Sequence, residues 1–123
     1  MNFLPKDYVL KVQKANIDRF GGSHGLRDEG AFDSALAAAE TRHYYEDCDA
    51  VTCAATYGFH LCQAHAFVDG NKRIGAACAL LCLELNDVQH DLAPQQLADA
   101  FLRVASSEMT RDALETFLRA HVR

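Results

Sequence analysis

The sequence predicts an all-α fold: one domain over residues 1–123, built of about six helices. Three observations predict it. Apolar residues recur at helical spacing along most of the chain. Capping or breaking residues stand at the ends of those segments. The period-two alternation of half-buried strands is absent beyond short ambiguous pieces, and there is no internal repeat.

The first helix is expected over residues 4–20, with Val9, Leu10, Val12, Ile17 and Phe20 on one face. Gly21-Gly22 ends it as a flexible C-terminal cap. A glycine-rich turn, GGSHGLRD, follows, and Asp28 can cap a second helix striped by Phe32, Ala35, Leu36 and Ala39. The polar, aromatic stretch Thr41–Asp49 (TRHYYEDCD) breaks that stripe and reads as a surface loop or a short extended flap. A third helix is expected from Ala50 to Ala64. A fourth runs from near Gly70 to Leu85, apolar nearly all round, as suits the centre of a bundle. Asn86-Asp87 ends it. Pro94 suits the first turn of a fifth helix with Leu97, Phe101 and Val104 inward. Thr110 can cap a sixth, with Leu114, Phe117, Leu118 and His121 on one side.

Composition narrows the function classes. The chain is 50% apolar, with two prolines and seven glycines, which argues against disorder or a linker. A net charge of −5 argues against a general nucleic-acid-binding face, so any cationic function must be local. The five cysteines lie in apolar surroundings without the spacing of a disulfide framework, which points to a reducing cytoplasm. The N-terminal residues carry no apolar signal run. Ala50–Val68 lacks Asp, Glu, Lys and Arg, but its Thr, His and Gln residues fit a buried helix plus a loop rather than a membrane span.

One stretch concentrates chemistry: HAFVDGNKRIG, residues 65–75, between two core-like segments. The first N–H groups of a helix have no internal partners, and the helix dipole adds partial positive charge. Gly70 lets backbone approach a ligand. With Lys72 and Arg73, the result is an anion nest suited to polyphosphate. A carboxylate at the edge of such a nest, Asp69, suits Mg²⁺ held between it and phosphate oxygens. His65 could take a proton from an incoming hydroxyl. Phe67 would pin the loop into the core, and Asn71 would either hold the loop by hydrogen bonds or contact phosphate. Base, metal carboxylate and nest are the parts of a phosphoryl or nucleotidyl transferase. The same residues also have a plain structural reading: a structural histidine, an Asp-Gly-Asn turn and a solvated first helical turn.

HAFVDGNKR resembles the signature of the Fic/Doc family, H-x-F-x-[D/E]-[A/G]-N-[G/K]-R, at His65, Phe67, Asp69, Asn71, Lys72 and Arg73. The likeness extends to KANIDRFGG at residues 14–22, the GGSHGLRDEG turn and the apolar helix ending at Asn86. Nearly the whole chain is similar to the short, stand-alone death-on-curing branch of toxin–antitoxin modules. The resemblance implies an all-α Fic fold with the active-site loop between two central helices. It implies catalytic roles for His65, as base, and Lys72. Asp69 would bind Mg²⁺, and Gly70, Asn71, Lys72 and Arg73 would hold the phosphates of ATP or another nucleoside triphosphate. His43–Glu46 would position the target segment.

Departures from the pattern bear on the reaction. AMP-transferring members usually have a second glycine where this chain has Lys72, and a second arginine where it has Ala76. Both changes favour transfer of a terminal phosphate to a Ser or Thr of a protein target, a translation elongation factor by resemblance. Gly70 points the other way, toward AMP transfer (AMPylation), which is the alternative. A non-catalytic binding module is the competing class, and retention of His65, Asp69, Asn71 and Arg73 argues against it. No Ser or Thr has Glu four residues later, the mark of self-inhibited members. Restraint is therefore expected in trans, from an antitoxin whose helix lays an apolar face near the site. Cys62 and His65 with Cys78 and Cys82 have permissible zinc spacing, but the cysteines sit at helical core positions. His24 could touch nucleotide or target, or simply be exposed.

Overall fold

The computed structural model describes all of residues 1–123 and contains six helices and no strand. They are α1 (Lys6–Phe20), α2 (Glu29–Glu46), α3 (Ala50–Gln63), α4 (Asn71–Leu85), α5 (Pro94–Ala105) and α6 (Arg111–Arg119). Local chemistry sets their starts. The Asp28 carboxylate accepts the Ala31 N–H at 3.0 Å, the Asp49 carboxylate accepts the Thr52 N–H at 3.0 Å, and the Thr110 hydroxyl accepts the Ala113 N–H at 3.1 Å. Pro94 occupies the first position of α5, where its missing N–H costs nothing.

The hairpin of α3 and α4 is the centre. Thirteen consecutive α3 residues from Ala50 through Cys62 are all buried except Phe59 and His60, so this helix is enclosed on most sides. Two glycines let α4 press against it. A Cβ built on Gly75 would stand 2.7 Å from the Gly58 carbonyl oxygen, and one on Gly58 would stand 2.7 Å from the Phe101 ring. Around the pair lies one core containing Phe32, Tyr57, Leu61, Ile74, Leu83, Phe101, Leu114 and Leu118. Burial of each such side chain is worth roughly 1.5–3 kcal/mol. The Tyr57 hydroxyl accepts the Leu4 N–H at 3.1 Å and so draws the N-terminal residues onto α3.

Polar contacts fasten α6 to the start of α3. The Arg119 guanidinium grips both Asp49 carboxylate oxygens at 2.9 and 3.1 Å and donates to Thr52 and Glu115. That bidentate cation holds the Asp49 carboxyl down at about 2, well below the usual range.

Three expectations are corrected. The stretch Thr41–Asp49 is not a loop or an extended flap, because α2 continues through Glu46. No Gly or Pro lies between Thr41 and Asp49, and Arg42 turns inward to donate to the Thr56 hydroxyl at 3.1 Å, so Arg42 and His43 dock this last part of the helix while Tyr44 and Tyr45 stay exposed on its outer side. Only at Asp47, with φ +49°, does the helix end. On α1 the buried face is Val9, Gln13 and Ile17, and Phe20 is exposed. His121 lies beyond α6, in a tail segment that pairs with Asp91 at 2.8 Å and bridges Val122 to His90.

Candidate active site

Residues 64–70 join the central helices, so the motif is one tight loop between the C-terminus of α3 and the N-terminus of α4. Its shape comes from two residues in the left-handed region, His65 at φ +49° and Gly70 at φ +80°. Gly70 is favoured on two counts. An L side chain rarely adopts that φ, and a Cβ there would come 3.2 Å from both the Gln13 amide nitrogen and Ile17 Cδ1.

Asn71 clasps the loop. Its Oδ1 accepts the Phe67 N–H at 3.1 Å and its Nδ2 donates to the Phe67 carbonyl at 3.0 Å. Of the two roles the sequence leaves open for Asn71, the structure shows the holding one. The Phe67 ring is buried edge-on against Phe32, with centroids 5.1 Å apart, as its apolar character suggests.

Three segments distant in sequence complete the frame. Leu26 forms an antiparallel bridge with Phe67, flanked by Arg27 N–H to Ala66 O at 2.7 Å and Val68 N–H to Gly25 O at 3.0 Å. Arg27 Nη2 donates to the His65 carbonyl at 2.8 Å and fixes the backbone behind the imidazole. From α1, the buried Gln13 donates through Nε2 to the Asp69 carbonyl at 2.8 Å. The signal for Gln13 was in the sequence: it is the polar member of the i, i+4, i+8 series Val9, Gln13, Ile17. Nothing in the sequence marked Arg27 as touching His65, 38 positions away.

The chemistry-bearing groups face outward from this frame. His65, Asp69, Lys72 and Arg73 are exposed. Gly70 supplies no side-chain cap, and the N–H groups of Asn71, Lys72 and Arg73 find no acceptor within the protein. Such an open donor set is what an anion nest requires. Neither Lys72 nor Arg73 is in an ion pair with a carboxylate, although each lies at the surface with a full charge. The Arg73 guanidinium sits 4.5 Å from the centre of the Phe20 ring, a stack that ties it to the end of α1. Asp69 Oδ2 accepts the Ser23 N–H at 2.7 Å, while Oδ1 has no hydrogen bond from the protein. One tethered oxygen and one free oxygen fit a divalent cation that shares its other ligands between phosphate and water.

Three other candidates take different places. His43–Glu46 lies in the last turn of α2, about 25 Å along that helix from the Asp28 end that adjoins the motif. The extended segment paired with the motif is Gly25–Arg27 instead. Cys62, Cys78 and Cys82 are buried thiols, pushed up by that burial to about 11, 12 and 12, whereas His65 is exposed. They are core residues and do not assemble with His65 into a zinc site. His24 is exposed and pairs with Asp18 at 2.8 Å.

Comparison with known proteins agrees with this arrangement. The model of the Fic/DOC family matches residues 3–83, which hold α1 to most of α4 and the whole motif loop. The chain is 32% identical over 120 residues to the protein kinase doc of Escherichia phage P1, covering 97% of this chain and 94% of that protein. It is 33% identical over 116 residues to the toxin Doc of Mycolicibacterium smegmatis, covering 91% of this chain and 87% of that protein.

Proposed function

The chain belongs to the Fic/DOC family, and on that premise we propose that it is the toxin of a toxin–antitoxin pair that transfers the terminal phosphate of a nucleoside triphosphate, such as ATP, to a Ser or Thr hydroxyl of a protein. The observation that carries the reading is similarity along almost its full length to a protein named as a kinase. A translation elongation factor is the target suggested by the family resemblance.

The geometry supports a role for each of these residues. The free N–H groups at the start of α4 and the Lys72 and Arg73 side chains bind the phosphate chain and offset its charge. Asp69, through Oδ1, would hold Mg²⁺, which when bound neutralises phosphate charge. Lys72 adds a cation where charge shifts as the terminal phosphoryl group leaves. The His65 imidazole accepts the proton of the target hydroxyl while that oxygen attacks phosphorus. Arg27 and Asn71 keep base and nest in register. AMP transfer would use the same base and nest. Its support in the sequence was Gly70, but the left-handed backbone and the packing of Gln13 and Ile17 favour glycine there for structural reasons as well.

A paired labelling experiment tests the proposal. The purified protein is incubated with Mg²⁺, a cell extract and ATP labelled at the γ- or the α-phosphate. His65→Asn runs beside it, because asparagine tolerates the left-handed backbone of that position better than alanine does. Label from the γ position, lost in the variant, is the expected result. Label from the α position would make the protein an AMP transferase, and no label from either would leave a binding module. Growth arrest on expression alone, relieved by a co-expressed antitoxin and absent with His65→Asn, checks the toxin assignment.

A further inference from the structure

At the far end of α3 from the motif, three soft donors converge that the proposed reaction does not use. His43 comes from the last turn of α2, Cys48 from the link between helices, and Cys53 from the second turn of α3. A ring nitrogen and the two sulfurs all lie within 4.8 Å of one another. From this geometry we infer that His43, Cys48 and Cys53 form a zinc site joining the end of α2 to the start of α3.

The spacing supports it. Two thiolates about 2.3 Å from one tetrahedral Zn²⁺ stand about 3.8 Å apart. Cys48 Sγ and Cys53 Sγ are 3.6 Å apart, so both can be ligands with almost no movement. A disulfide would need the sulfurs to close to about 2.05 Å. The imidazole is also prepared. His43 Nδ1 lies 2.8 Å from the Cys48 carbonyl oxygen, which can only accept, so Nδ1 carries the proton. In the neutral ring that leaves the lone pair on Nε2, and an N–H donated to a backbone carbonyl is the usual outer bond of a metal-binding histidine. The Phe3 ring, edge-on with centroids 5.6 Å apart, limits rotation of the imidazole.

Packing alone explains less. Cys48 immediately precedes the Asp49 cap and Cys53 is the fourth residue of α3, the positions of a hydrophobic staple. A staple accounts for the sulfur contact but not for the oriented histidine beside it. Cys53 is buried, while His43 and Cys48 are half-buried, so the ion can enter and a water can fill its fourth position. Binding replaces two S–H bonds by two Zn–S bonds and releases two protons to solvent.

The test uses the full chain, kept reduced and stripped of metal, and titrated with Co²⁺ and then Zn²⁺. We expect one Co²⁺ per chain with a thiolate-to-cobalt charge-transfer absorption, lost on adding Zn²⁺. Zinc at about a hundredfold over Kd should raise Tm by roughly 10 °C. Cys48→Ser, at a half-buried position the fold can tolerate, leaves Cys53 as the one thiolate, so it should roughly halve the absorption at saturating Co²⁺ and weaken zinc binding at least about tenfold. His43→Gln should weaken binding by a similar factor, as an independent variant. No thiolate absorption, absorption undiminished in Cys48→Ser, or a Cys48–Cys53 disulfide that forms in air equally well with and without zinc would each overturn the inference.

Discussion

Replacing Asn71 with alanine separates a loop-holding residue from a phosphate ligand. Wild-type Asn71 makes two bonds to the Phe67 backbone, at 3.1 and 3.0 Å, in a half-buried place. Each is worth about 1 kcal/mol net, and each leaves a Phe67 polar group to find water if removed. Alanine is a better helix former at the first position of α4, returning roughly 0.5 kcal/mol. The balance is a loss of about 1.5 kcal/mol, or a Tm lower by roughly 6 °C for a chain of this size. Asn71→Asp keeps the acceptor and loses the donor, so its stability should fall between the two. Urea unfolding measures the loss, and hydrogen exchange at the Phe67 amide reports the clasp directly. If the clasp positions His65, kcat for phosphate transfer should fall more than KM for ATP rises. An Asn71→Ala protein with unchanged Tm, a protected Phe67 amide and only a raised KM would refute the reasoning, and Asn71 would then be a phosphate ligand.

Two further outcomes follow from packing and charge. Gly75→Ala places a Cβ 2.7 Å from the Gly58 carbonyl oxygen and 3.1 Å from Cys62 Cβ, so α3 and α4 must separate. The overpacking cost of about 1–3 kcal/mol should outweigh the roughly 1 kcal/mol gain in helix propensity, whereas Gly30→Ala, whose nearest neighbour is 3.6 Å away, should be neutral or stabilising. Urea midpoints decide it, and a Gly75→Ala protein as stable as wild type would sink the close-packing account. The half-buried His60 has its pKa lowered by loss of solvent and then by the Arg111 and Arg42 charges. The folded protein therefore resists protonating it, while the unfolded chain takes up a proton below about pH 6.5. The stability tied to His60 is full above that pH and is lost as pH falls below it, by at most about 1.4 kcal/mol per pH unit. His60→Gln should flatten stability between pH 7 and 5; an unchanged slope would show that His60 does not titrate differently on folding.

The parts of this protein written in consecutive residues could be read without coordinates. The apolar registers of α3 to α5, the caps at Asp28 and Thr110, and the proline start of α5 are local effects, set within about one helical turn. The motif from His65 to Gly75 was legible for the same reason, since nest, glycine and acid all lie on one short loop. Tertiary structure decided what holds that loop. Gln13 reaches the Asp69 carbonyl across 56 positions, Ser23 the Asp69 carboxylate across 46, and Arg27 the His65 carbonyl across 38. Spacing along a chain carries no sign of such bonds, because they exist only once α1 and the glycine turn pack over the loop. Packing also overrode local composition twice. Arg42, anchored on Thr56, carried α2 through a stretch that looked like a loop, and Arg73 gave the exposed Phe20 a partner outside the core. The residues able to carry the chemistry were therefore determined by the sequence, and their registration by contacts that only the folded chain makes.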